Sequence, residues 1–219
     1  KIAHIQVQQK LLDYLYALDQ APQQLLRFLA AQGRLRLGHY AEKLLAFYWQ
    51  EQGCLVAQGL QVNAGRHNTL GEFDFLLRAP SDGVLQHWEV ASKFYLYVPE
   101  SAPDLHAYLG PNLQDNLGAK IQKILGAQLA LGQHPAAQAL LTSAIEQTFA
   151  LVKGWLFYAQ GSTAPLITGI APNHCQATWC AWTELTFDAH DYACVLPRLA
   201  WLAPLRCERE LGKTLPEMQ

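Results

Sequence analysis

Leu70-Gly-Glu-Phe-Asp-Phe-Leu-Leu77 and His87-Trp-Glu-Val-Ala-Ser-Lys-Phe-Tyr95, with the turn formers Pro80-Ser-Asp-Gly83 between them, decide the fold. Both runs are rich in aromatic and aliphatic residues, which predicts two strands joined by a short turn. Alternate strand residues share a face. Glu72 and Asp74 are therefore expected on one side, with Phe73, Phe75 and Leu77 on the other. By the same rule Glu89, Ala91 and Lys93 share a face opposite Trp88, Val90 and Phe94. Pairing through the 79–83 turn would bring Asp74 and Glu89 onto one face. Two close carboxylates repel and are costly to desolvate unless a cation or a proton lies between them. Mg2+ meets that need, since it takes one or two carboxylates and keeps its remaining waters. The same residues also fit a plainer arrangement, with solvated acids and a Glu89–Lys93 ion pair. Periodicity does not choose between them.

Working outward, Cys54–Asn63 reads as a strand before these two, which extend over Thr69–Arg78 and Val84–Val98. Together they form an antiparallel meander. Upstream, residues 5–31 carry Leu11, Leu12, Leu15 and Leu18 at helical spacing, and Pro22 opens a second helix. Gly38–Gln52 predicts another helix, with the stripe Ala41, Leu44, Leu45, Tyr48 and Trp49, stopped by Gly53. Downstream, Pro99–Pro111 reads as a loop, Leu117–Leu131 and Pro135–Gln147 as helices, and Phe149–Tyr158 as a strand. Gln176–Phe187 and Tyr192–Trp201 read either as the strands of a final hairpin or as one strand and one irregular segment. The order is α-β-β-β-α-(α)-β with a C-terminal β extension.

Composition limits the function classes. The chain has 219 residues, 51% of them hydrophobic and 16% charged, enough apolar material for one large core. No polar linker divides it, so residues 1–219 read as a single domain. No apolar run reaches the roughly 20 residues that cross a bilayer, and no membrane association is expected. The odd cysteine count, without a CxxC, predicts a reduced, cytoplasmic chain. His174, Cys175 and Cys180 fit no common zinc spacing, and a Cys175–His190 nucleophile has nothing to link its members. A net charge of −2 is not that of a constitutive DNA coater, yet a local basic groove is compatible with it. There is no GxSxG, Walker loop, HExxH or GxGxxG.

Four phrases carry a resemblance: Arg36-Leu-Gly-His-Tyr-Ala-Glu-Lys-Leu-Leu45, Leu70-Gly-Glu-Phe-Asp-Phe-Leu76, Trp88-Glu-Val-Ala-Ser-Lys-Phe-Tyr95 and Gly110-Pro-Asn112. With the order of elements, they resemble an uncharacterised bacterial family placed in the PD-(D/E)XK nuclease superfamily. The resemblance implies an α/β restriction-endonuclease-like core over residues 36–158, a mixed sheet flanked by helices. Added N-terminal helices and a 159–219 extension would complete it. It further implies that Asp74 and Glu89 ligate Mg2+ or Mn2+, and that Glu42 joins from the leading helix as a ligand through water or as a base partner. Lys93 would be the catalytic lysine. It departs from the pattern, because the position two residues after Glu89 is Ala91, and Lys93 lies about 13 Å along a regular strand from Glu89.

Other side chains bear on the same site. Glu42 lies at the edge of its helical stripe, where a boundary salt bridge is the plainer role. Lys120 lies at the edge of the Leu117–Leu131 stripe and Gln128 within it, both suited to substrate binding. A buried glutamine needs partners for its amide and serves equally to cap a backbone group. Arg34, Arg36 and Lys153 are surface charges or groove residues. The expected activity is metal-dependent hydrolysis of nucleic acid, DNA before RNA. The alternative is a nuclease-fold protein that binds nucleic acid or a partner without cutting. Trp179, Trp182 and Trp201, if exposed, would mark a homo-oligomer interface.

Overall fold

The computed structural model describes residues 9–31, 33, 35–66, 68–99, 103–186 and 194–203. Helices α1 (Gln9–Gln20) and α2 (Gln23–Ala30, with Pro22 at its N-cap) precede α3 (Leu37–Glu51). The expected start of the first helix and Arg34 lie outside the described residues. Strands β1 (Leu55–Asn63), β2 (Thr69–Arg78) and β3 (Leu85–Tyr97) form the expected antiparallel meander.

The chain then crosses over through β4 (Tyr108–Leu109), α4 (Leu117–Lys123) and α5 (Pro135–Gln138) to β5 (Ile145–Ala159), which runs parallel to β3. A parallel neighbour requires such a crossover. A short β6 (Gln176–Trp179) adds parallel to β5, and β4 pairs antiparallel with the end of β3. Among the described residues the result is a mixed sheet of six strands in the order β1-β2-β3-β5-β6, with β4 on β3, flanked by helices.

Several stretches depart in part from the sequence reading. The helix expected over Pro135–Gln147 is one turn, because the β-branched and aromatic run starts at Ile145 and draws the chain into β5. The helix expected over Leu117–Leu131 changes to π-helix at Ile124–Gln128. Of the two readings of the C-terminal stretch, the described residues fit one strand and one irregular segment: among them Gln176–Trp179 is extended in the sheet and Arg198–Leu202 is a 3-10 turn, while 187–193 lie outside the described residues. The expected 99–111 loop carries a 3-10 turn at Leu105–Ala107 and then β4.

Among the described residues four buried clusters cover the sheet, and two of them meet β2. On one face α3 sets Ala46 and Trp49 against Phe75 and Leu77, with the Trp49 and Phe75 rings edge to face at 4.6 Å. Phe73, Leu76, Leu85 and Val62 instead pack with Leu131 and Ala137. Phe73 and Phe75 were expected on one face, and the structure corrects this. The alternation slips at Asp74, between them. Opposite the slip, bracketed by the Gln58–Phe75 and Leu60–Phe73 pairs, lies Gly59 at φ +63°, a backbone state that side chains strain to adopt. The kink frees Asp74 from the regular pleat.

Candidate active site

The β2–β3 ladder is short. It pairs Phe75–Arg78 with Leu85–Trp88 and ends there, while β4 takes the same edge of β3 only at Leu96 and Tyr97. Between Glu89 and Tyr95, among the described residues, β3 has a strand neighbour on the β5 side alone. The Asp74 side chain fills the first missing rung, its Oδ2 accepting the Val90 N–H at 2.8 Å. A carboxylate thus replaces a main-chain acceptor, one residue from Glu89.

Glu89 is almost sealed, at 1% exposure. Its Oε1 meets His87 Nε2 at 2.7 Å, and its Oε2 accepts from Gln128 Nε2 at 2.5 Å. Gln128 sits at the end of the π-helical turn, and its Oε1 faces Lys120 Nζ at 3.4 Å. That contact fixes the amide orientation: an ammonium only donates, so the amide oxygen must face Lys120 and the NH2 must face Glu89. Insertions of this π type recur at functional sites in helices.

The charges in this gap perturb one another. Burial, then the Glu89 charge and more weakly Glu42, push the Asp74 carboxyl up from 3.8 to about 7, against the pull of the Val90 N–H and Lys120. Burial pushes Glu42 up as well, with Glu72 and Glu89 adding to it and His39 and Lys43 opposing. Lys120 is held below its usual range by burial first and then by Lys93, with Asp74 and Glu89 opposing. Carboxyls at Asp74, Glu89 and Glu42 therefore share one electrostatic neighbourhood, with Lys120 beside them.

Of the residues expected at the site, Asp74, Glu89, Lys120 and Gln128 converge. Glu42, on α3, reaches it through its charge. Lys93 is engaged elsewhere. Its Nζ lies 2.8 Å from Asp115 Oδ2, which also accepts from Tyr95 OH, and this pairing holds the Asp115 carboxyl below the usual range. Among the described residues no group of three or more His, Cys, Asp and Glu side chains is set to hold a metal ion. His174 is committed to Tyr158 and to the Ala171 carbonyl, Cys175 and Cys180 are free thiols, and His190 and Cys207 lie outside the described residues.

Sequence reasoning gave no role to His87 or Asp115. The signal for His87 was present: it precedes Glu89 by two residues in a strand, so the two share a face. Asp115 carried no such signal, because it lies in a loop that only the fold returns to β3. Trp182 is exposed and Trp201 partly so. No helix among the described residues is long and apolar enough to cross a membrane.

No curated protein and no solved structure matches the chain, and no comparison links it to the PD-(D/E)XK superfamily. A family model described as "Domain of unknown function (DUF1853)" matches residues 1–219, the whole length given, and the chain belongs to that family.

Proposed function

We propose that the chain is a metal-dependent hydrolase of phosphodiester bonds in nucleic acid, DNA before RNA, on a restriction-endonuclease-like core over residues 36–158. One observation carries the reading. Asp74 and Glu89 meet at an opened strand edge, where burial first and then the Glu89 charge raise Asp74 to about 7. Such a pair is relieved by a proton or by a cation. The order α3, three-stranded meander, α4 and parallel β5 is consistent with it.

The donor set suits a hard cation. Asp74 and Glu89 offer carboxylate oxygens only, and Mg2+ or Mn2+ held by two carboxylates with water completing the shell needs no third protein ligand. Glu42 would join through water. When bound, such an ion supplies Lewis-acid polarisation of a phosphoryl oxygen and a more acidic water. Gln128 orients Glu89 and, through its carbonyl, holds Lys120 beside the carboxylates, where the ammonium can meet a phosphate oxygen. Lys93 would act at the neighbouring end of the cleft.

The test is an assay on mixed DNA and RNA substrates with Mg2+ or Mn2+. Cleavage by the wild type and loss to background in Asp74→Asn and Glu89→Gln are expected. Equal cleavage by wild type and Asp74→Ala defeats the reading. A second reading, a nuclease-fold protein that binds without cutting, is favoured by the Lys93–Asp115 pair, which takes the lysine away from Glu89. It expects metal-free nucleic-acid binding that survives Asp74→Ala and weakens as salt rises. A homo-oligomer through exposed Trp182 would show in size-exclusion chromatography.

A further inference from the structure

His87 is fully buried in the sheet, at 0% exposure. Its ring stands edge-on to Phe73, with centroids 4.7 Å apart and planes at 87°. One ring nitrogen, Nε2, lies 2.7 Å from Glu89 Oε1; the other, Nδ1, is sealed with no hydrogen-bond partner. A proton on Nδ1 would be an orphaned buried N–H, which folded proteins seldom tolerate, whereas a bare acceptor lone pair is borne more readily. The proton therefore belongs on Nε2, where it is donated to Glu89.

We infer that His87 is a positioning residue that locks Glu89 for an all-oxygen cation site. This inference rests on the metal-site reading above. His87 fixes Oε1 while Gln128 fixes Oε2, so the carboxylate is clamped at both oxygens. Each oxygen has two acceptor sites, so one on each stays available for a cation. The donation also removes His87 from the possible ligands: Nε2 carries the proton and Nδ1 is walled in. A histidine beside two carboxylates ordinarily invites Zn2+ or another transition ion. Here it hardens the site toward Mg2+ and Mn2+ instead. Such outer partners set ligand orientation and basicity.

The amide side chains separate this role from a packing role. The amide nitrogen of a glutamine can stand near the place of Nε2, and that of an asparagine near Nδ1. Mn2+ affinity of the full chain, measured by electron paramagnetic resonance, should stay within about threefold of wild type in His87→Gln and weaken about tenfold or more in His87→Asn. Circular dichroism and thermal unfolding verify that each variant is folded. Equal affinities in the two folded variants, or the asparagine variant binding better, overturn the inference. A second readout needs no variant. Imidazole 15N shifts of the metal-free protein should identify the Nε2–H tautomer. A protonated Nδ1, or a ring nitrogen shift on Zn2+ addition that marks direct ligation, overturns it. Wild type that binds no Mn2+ sinks the metal-site reading and, with it, the cation role of His87; the tautomer result then still reports separately on the hydrogen bond.

Discussion

Replacing Asp74 by asparagine removes a buried charge and keeps an oxygen for the Val90 N–H, which makes stability against pH a direct reading of the site. The folded state raises this carboxyl from 3.8 to about 7. A group whose folded value is raised favours the fold while protonated. Its contribution is full below the unfolded value, near pH 4, and is lost as pH climbs through about 7. Roughly three units at about 1.4 kcal/mol each set a ceiling of about 4 kcal/mol. In metal-free buffer, Asp74→Asn should therefore gain on the wild type as pH rises from about 4 to about 8, by about 2–4 kcal/mol or about 5–10 °C in Tm. Thermal unfolding followed by circular dichroism measures it. Added Mn2+ at the upper pH should close the gap, because a cation then takes the place of the missing proton. A difference between the two proteins that stays constant with pH, or grows toward acid, refutes the reasoning.

Three further outcomes are expected. Gly154→Ala should cost at least about 3 kcal/mol in denaturant unfolding, because Gly154 stands at φ +148° and a Cβ there would overlap the Lys93 carbonyl oxygen on β3. Gln128→Leu leaves Glu89 Oε2 without its donor and Lys120 without its amide contact, so metal affinity should fall by about tenfold with the fold kept. Lys93→Met should let the Asp115 carboxyl rise toward its ordinary value, since the lysine is what chiefly holds it low; carboxyl 13C NMR reads this, and an unmoved Asp115 contradicts the pairing.

The meander was legible because alternation and turn formers agree over Cys54–Val98, and the helical stripe of Gly38–Gln52 carried α3. What sequence could not show was where the ladder stops. The pleat slip at Asp74 depends on Gly59 in the neighbouring strand, and single-strand periodicity is blind to a partner's kink. The same slip is why Phe73 and Phe75 part company despite their spacing. Gln128 was legible as an amide in an apolar stripe, though its partners, Glu89 and Lys120, come from the π-helical turn and the crossover packing. Alternation assigned Lys93 to the Glu89 face but could not show that the 110–115 loop brings Asp115 to it. At the C-terminus sequence left a hairpin and a single strand with an irregular segment equally open, because aromatic spacing does not show whether a sheet edge is there to join.

The most direct measurement is a crystal of the full chain soaked in Mn2+ and examined by anomalous scattering. The account expects a peak shared by the Asp74 and Glu89 carboxylates, at ligand distances of about 2.1 Å, with His87 Nε2 still on Glu89. A peak bound elsewhere, no peak at saturating Mn2+, or the two carboxylates turned apart would contradict it.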